Sequence, residues 1–174
     1  GIGVAVAIAD STAKVTVAGN ITTTGDTYLR AAVDNTLLAW ANTRNVAGGA
    51  AAVAVTLLDS VSQAHVTDDA VLDVGGNLTV RADTKDHNFT NSMTGVGPDG
   101  ALAISVSVSD EECETNAYLD GTADVEGNVT VSASMEKTPI DVTKLVVLPS
   151  RVTGVAAAAG VGSNANLLNL DEAQ

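Results

Sequence analysis

One block of this chain occurs twice: Asp59, Asp73, Val74, Gly76, Asn77, Thr79, Val80 and Ala82 return 51 residues later as Asp110, Asp124, Val125, Gly127, Asn128, Thr130, Val131 and Ala133. A fixed long period of β-branched stretches between small turns constrains the fold strongly. Each unit buries its apolar face against the next unit rather than around one centre. The expectation is an all-β chain, a β-solenoid (parallel β-helix), with an antiparallel β-sandwich as the alternative that also has many short strands. The units run approximately 3–48, 49–99, 100–150 and an incomplete 151–174, a single repeat segment read as a fragment of a longer chain.

Inside each unit the residues alternate. Val4-Ala-Val-Ala-Ile8, Ala52-Val-Ala-Val-Thr-Leu-Leu58 and Ala103-Ile-Ser-Val-Ser-Val108 set branched against small side chains at a period of two, which is the pattern of strand. Asp10, Asp59 and Asp110 read as strand-closing residues whose short acceptor side chains bond nearby amides. Gly76-Asn77 and Gly127-Asn128 read as tight turns, where a left-handed backbone is open to Gly and tolerated by Asn. Strands of four to six residues, about five to a unit, would then wind roughly two coils per 51-residue repeat, with coils about 4.8 Å apart.

Two regions depart from this pattern. Tyr28 to Asn42 can place Val33, Leu37, Trp40 and Ala41 on one helical face, but its register with residues 86–94 favours strand. Glu136 to Val152, with Pro139 and Pro149 around Leu145-Val-Val-Leu148, reads as an insertion or a strand flanked by loops.

The composition narrows the interior. One Phe, one Trp and two Tyr in 174 residues leave a core of small and β-branched side chains, which suits a flattened coil. A net charge of −13 repels phosphate backbones and anionic membranes, and so argues against nucleic-acid partners. No apolar stretch is long enough to span a bilayer. Cys113 is the single cysteine, so no disulfide forms within the chain.

The string Ala52-Val-Ala-Val, Asp59-Ser60, Gln63-Ala-His-Val66 and Val74-Gly-Gly-Asn-Leu-Thr-Val80, echoed by Asn116-Ala-Tyr-Leu119-Asp-Gly and Glu126-Gly-Asn-Val-Thr-Val131, resembles the repeats of giant bacterial surface adhesins. These are haemagglutinin-like and leukotoxin-like filamentous proteins of β-solenoid type. The resemblance implies a secreted or cell-surface shaft for attachment, and it carries no catalytic residue.

Candidate chemistry concentrates in Asp110-Glu111-Glu112-Cys113-Glu114. Crowded carboxylates repel unless solvated or bridged by a cation, and hard oxygen ligands suit Ca2+. Asp110, Glu111, Glu112 and Glu114 are the candidate calcium ligands, although the spacing matches neither an EF-hand loop nor a calcium β-roll. Cys113 among these carboxylates should hold its proton, which argues against a nucleophile. Asp59, Gly76, Asn77, Gly127 and Asn128 recur between units and read as structural turn residues. Asn20, Asn77, Asn88 and Asn128 fit the glycosylation acceptor pattern, which comes free with an Asn turn followed by a strand Thr. His65 and His87 have no second ligand at metal spacing.

These features point to a non-enzymatic structural or adhesive segment of an extracellular bacterial surface protein or filament, a stiff repeat scaffold without catalytic cofactor. The partners expected are neighbouring repeats, other copies of the chain through the solenoid ends, and a host or matrix surface. The alternatives are a calcium-dependent adhesion module and a polysaccharide-active β-helix, the latter poor in the cations and aromatic platforms that grip an acidic sugar chain.

Overall fold

The computed structural model describes residues 1–46, 49–96, 102–139 and 155–161. Ten strands follow one another: β1 (Ile2–Val17), β2 (Asn20–Thr23), β3 (Thr27–Val46), β4 (Gly49–Val66), β5 (Val71–Val74), β6 (Leu78–Val96), β7 (Leu102–Leu119), β8 (Thr122–Val125), β9 (Val129–Pro139) and β10 (Val155–Val161). They form three all-parallel sheets, ordered β1-β4-β7-β10, β2-β5-β8 and β3-β6-β9. Every third strand therefore stacks on its counterpart in the preceding unit, and the chain is a β-solenoid. The expected fold class is the one observed.

The winding differs from expectation in one respect. Each 51-residue unit makes one coil of three strands, not two coils of short ones. Asp10, Asp59 and Asp110 do not close strands; β1, β4 and β7 run straight through them. An exposed Asp on the outer face of a strand leaves the ladder bonds intact, because only the backbone takes part in them. Residues 27–46 are strand throughout, so the β register prevails over the helical spacing within 28–42. Glu136 to Pro139 end β9; the rest of the anticipated insertion lies outside the described residues.

A strand of 16 to 20 residues extends roughly 50–65 Å, while successive coils rise only about 4.8 Å. Each coil is thus a long flat loop. The chain runs out along the first sheet, turns through the short second sheet and returns along the third. The two long sheets face one another, as bonds such as Ser11 Oγ to Asn35 Oδ1 (2.7 Å) and Ser92 to Ser107 (2.9 Å) show.

In the second sheet and along most of the third the pairing keeps the 51-residue offset, Asn20 with Val71 and Leu78 with Val129, and the register shifts by one only between Thr43 and Val46, where Val46 pairs with Val96. The first sheet deviates. Ile2 pairs with Ala51, two residues short of the period, and Gly49 pairs with Leu102, two residues beyond it. Because side chains alternate with period two, a slip of two residues leaves inside and outside unchanged, whereas a slip of one would have turned the strand over.

The apolar core fills the corner where the second sheet joins the long ones. Ala64, Val66, Ala70, Leu72, Val74, Leu78, Val80 and Ala82 are fully buried there, with Val17, Ile21, Leu29, Leu119 and Val125 packed against them from the neighbouring coils. Away from the corner the space between the sheets is thin. Ala5, Ala7, Ala39, Ala41, Ala52 and Ala54 fill one part of it. Thr56 bonded to Thr90 and to Ser109, Thr94 to Ser105, and Asn88 to Ser109 fill another.

Candidate functional site

The middle of the solenoid interior is charged. Asn35, Asp86 and Lys137 occupy equivalent places on β3, β6 and β9, while Ser11, Ser60 and Cys113 are equivalent on β1, β4 and β7. The two columns face each other across the interior. Asn35 Nδ2 donates to Asp86 Oδ1 at 2.9 Å and to Ser60 Oγ at 2.8 Å, and Ser60 Oγ donates to Asp86 Oδ1 at 3.2 Å. Cys113 Sγ donates to Asp86 Oδ2 at 3.0 Å and stands 3.8 Å from Glu111 Oε1. Lys137 Nζ lies 3.7 Å from that same Glu111 oxygen. Asp86 is 1% exposed. Burial, followed by the hydrogen bond to Asp86 and its charge, pushes the Cys113 thiol up to about 12. The thiol is held as a donor, as anticipated, and not as a nucleophile.

Strand alternation separates the four candidate calcium ligands. Asp110, Glu112 and Glu114 are exposed on the outer face of β7, and Glu111 is buried on the inner face. One ion cannot be held by all four, because successive side chains on a strand point to opposite sides. The exposed carboxylates join a different set. Asp10, Asp59 and Glu112 are in register on three adjacent strands, and with Ile8, Leu57 and Asp110 they line a shallow surface depression. Among the described residues no ion pair reaches this row.

Beside it the outer face turns apolar. Ile2, Val4, Val6 and Ile8 stand outward on β1, with Ile2 82% and Ile8 70% exposed, next to Ala51, Val53, Val55 and Leu57 on β4. Ile104, Val106 and Val108 continue the band on β7. The large side chains of this stretch lie outside and the small ones inside, the reverse of a globular sheet. The narrow gap to the facing sheet explains why: a Cβ on Gly3 would lie 2.8 Å from Thr43 Oγ1 and 3.1 Å from the Asn42 carbonyl.

Gly76, Asn77, Gly127 and Asn128 lie between strands, although neither Gly76 nor Gly127 takes the left-handed backbone expected there, and Asp59 lies within β4. Asp26, Asn77 and Asn128 form a ladder along the axis. Asp26 Oδ1 accepts from Asn77 N at 2.7 Å and Nδ2 at 3.0 Å, and Asn77 Oδ1 accepts from Asn128 N at 2.9 Å and Nδ2 at 3.3 Å. Glycine is required by close approach between coils. A Cβ on Gly76 would meet Asp26 N at 2.7 Å, and one on Gly127 would meet the Gly76 carbonyl oxygen at 2.7 Å. His65 pairs with Asp120 at 2.9 Å and meets Tyr118 edge-on.

No protein family, curated protein or solved structure matches the chain.

Asp86, Asn35, Ser60 and Lys137 were not singled out by the sequence reading, which followed acidic clustering along the chain. The signal for them is a position polar in three successive units at an offset of 51, Asn35, Asp86 and Lys137.

Proposed function

We propose that the chain is a non-enzymatic structural and adhesive segment, a stiff repeat scaffold of an extracellular bacterial surface protein or filament. The observation that carries this reading is the stacking itself: three parallel sheets in which each strand pairs with its equivalent one unit away. Such an array lengthens by adding units and binds through repeated surface rather than through a single pocket. The outer apolar band on β1, β4 and β7 supports the adhesive part, since exposed apolar patches of this kind mark interaction surfaces. The partners are neighbouring repeats or further copies of the chain at the open strand edges, and a host or matrix surface.

A piece of one 51-residue unit should show no cooperative unfolding by circular dichroism, while the whole chain melts as a β-protein. A single unit that is stable alone defeats the stacking scaffold. Turnover of a uronic-acid polymer, lost in Asp124→Asn or Glu126→Gln, would replace it with a polysaccharide-active β-helix. The in-register row Asp10, Asp59 and Glu112 favours a second reading, a calcium-dependent adhesion module, in which chelator lowers the melting temperature.

A further inference from the structure

We infer that Asp86, Glu111 and Cys113 form an interior site for one thiophilic divalent cation of the Zn2+ class. One ligating atom from each lies within 4.8 Å of the other two. The sulfur-to-oxygen separations of 3.0 and 3.8 Å bracket about 3.5 Å, the distance set by tetrahedral geometry when Zn–S is about 2.3 Å and Zn–O about 2.0 Å. Small side-chain adjustments would bring the three atoms onto one ion.

The independent observation is Glu111. Its side chain is 2% exposed, it faces the interior on β7, and its Oε2 has no hydrogen-bond partner among the described residues. A buried carboxylate oxygen without a donor is costly and rare, and a bound cation is one of its ordinary partners. Charge points the same way. With the thiol protonated, the two carboxylates outnumber Lys137 and leave one negative charge in excess. When a dication binds and the thiol proton leaves to solvent, two carboxylates, one thiolate, one ammonium and the ion sum to zero. The sulfur selects a borderline cation over Ca2+, unlike the outer row of Asp10, Asp59 and Glu112, which offers oxygen alone. Asn35 and Ser60 hold the Asp86 carboxylate from its far side, as supporting partners do around metal ligands. Cys113 is only partly buried, so the site is open to loading. The inference does not depend on the scaffold reading.

The test titrates the full chain with Co2+ followed by absorbance and with Zn2+ followed by calorimetry. One Co2+ per chain should bind with a near-ultraviolet thiolate-to-cobalt band, and that band should vanish in Cys113→Ser. Zn2+ affinity should fall on the order of 100-fold in Cys113→Ser and in Glu111→Gln. Lys137→Gln removes the cation that competes for Glu111 Oε1 and should tighten Zn2+ binding several-fold. A purely structural Glu111–Lys137 pair would instead lower the melting temperature and leave metal affinity unchanged, which overturns the proposal. Absence of the thiolate band in the wild-type chain, or equal Zn2+ affinity in Cys113→Ser, overturns it as well. Asp59→Asn, on the outer face, should leave the band intact.

Discussion

The thiol of Cys113 donates to the Asp86 carboxylate at 3.0 Å from a different sheet, 27 residues away. The contact follows from the winding. Cys113 stacks on Ser60 and Ser11, Asp86 stacks on Asn35, and the two columns face each other inside the coil. Hydroxyls fill the first two coils of one column; in the third, the thiol takes the hydroxyl's place.

That thiol makes stability depend on alkaline pH. Its folded pKa is raised from 9.0 to about 12. Below pH 9 both folded and unfolded chains keep the proton and the contribution is fully present. Between pH 9 and 12 the unfolded chain loses the proton first, so stability falls as pH rises. With chelator present, denaturant midpoints should drop more steeply across this window for the wild type than for Cys113→Ser, whose hydroxyl does not titrate there. Parallel slopes would mean that the thiol is not held by the interior.

Asp83 faces outward on β6 yet is buried, and it is gripped from both sides by Arg30 at 2.8 Å and Arg81 at 2.7 Å. Burial pushes its carboxyl up, but hydrogen bonds from Arg81 and Arg30 and their charges prevail and hold it below the usual 3.8. Its contribution is therefore present above about pH 4 and lost as pH falls through the lower folded value. Each arginine is nearly half exposed, so Arg30→Ala or Arg81→Ala alone should lower the denaturation midpoint only slightly. The double variant leaves the carboxylate without a cation and should destabilise by clearly more than the sum of the two single changes. Additive small losses in chemical denaturation would contradict this sharing.

The turn ladder separates glycine from asparagine. Asn77→Ala removes the acceptor for Asn128 and the side-chain donor to Asp26, keeps the backbone donor to Asp26 and leaves the backbone ladder in place, and should cost about 1–2 kcal/mol. Gly76→Ala puts a methyl 2.7 Å from the Asp26 amide nitrogen of the neighbouring coil, so the coils must part at the corner. It should destabilise more than Asn77→Ala, even though alanine is the less flexible residue in the unfolded chain. Thermal melts that rank the two variants the other way would show that the corner opens easily.

The solenoid was legible from Gly76-Asn77 and Gly127-Asn128 together with the alternating strands, because both the turn and the alternation survive from unit to unit. The coil count was not. An aspartate such as Asp59 in a run of small residues looks like a break when only the sequence is seen, but on an outer face it costs the strand nothing. The acidic cluster misled for a related reason. Glu111 and Glu112 are adjacent in sequence, yet the pleat sends one into the interior and the other into solvent. The two-residue slips of the first sheet then pair Asp59 with Glu112 rather than with Asp110, its partner by sequence period.

The edge of β1 away from β4, which no described strand covers, offers the sharpest test of self-association. Ala51 N donates to the Gly1 carbonyl at 2.8 Å, and Ile2 pairs with Ala51. In a parallel ladder this directs the amides of the odd-numbered β1 residues toward β4 and those of the even-numbered residues away from it. Val6 is even-numbered, so within the described residues its amide points to the open edge and its side chain to the outer face. Unpaired edges of this length recruit other strands. Val6→Pro removes an edge donor and narrows the edge without touching the β1–β4 ladder, and edge strands are where proline is tolerated. Light scattering should show mass rising with concentration for the wild type and much less for Val6→Pro, with the two melting alike at low concentration. Ala5→Pro, which takes a donor from the internal ladder, should instead lower the melting temperature. If Val6→Pro associates as strongly as the wild type, the copies meet through the apolar band and not through the strand edge.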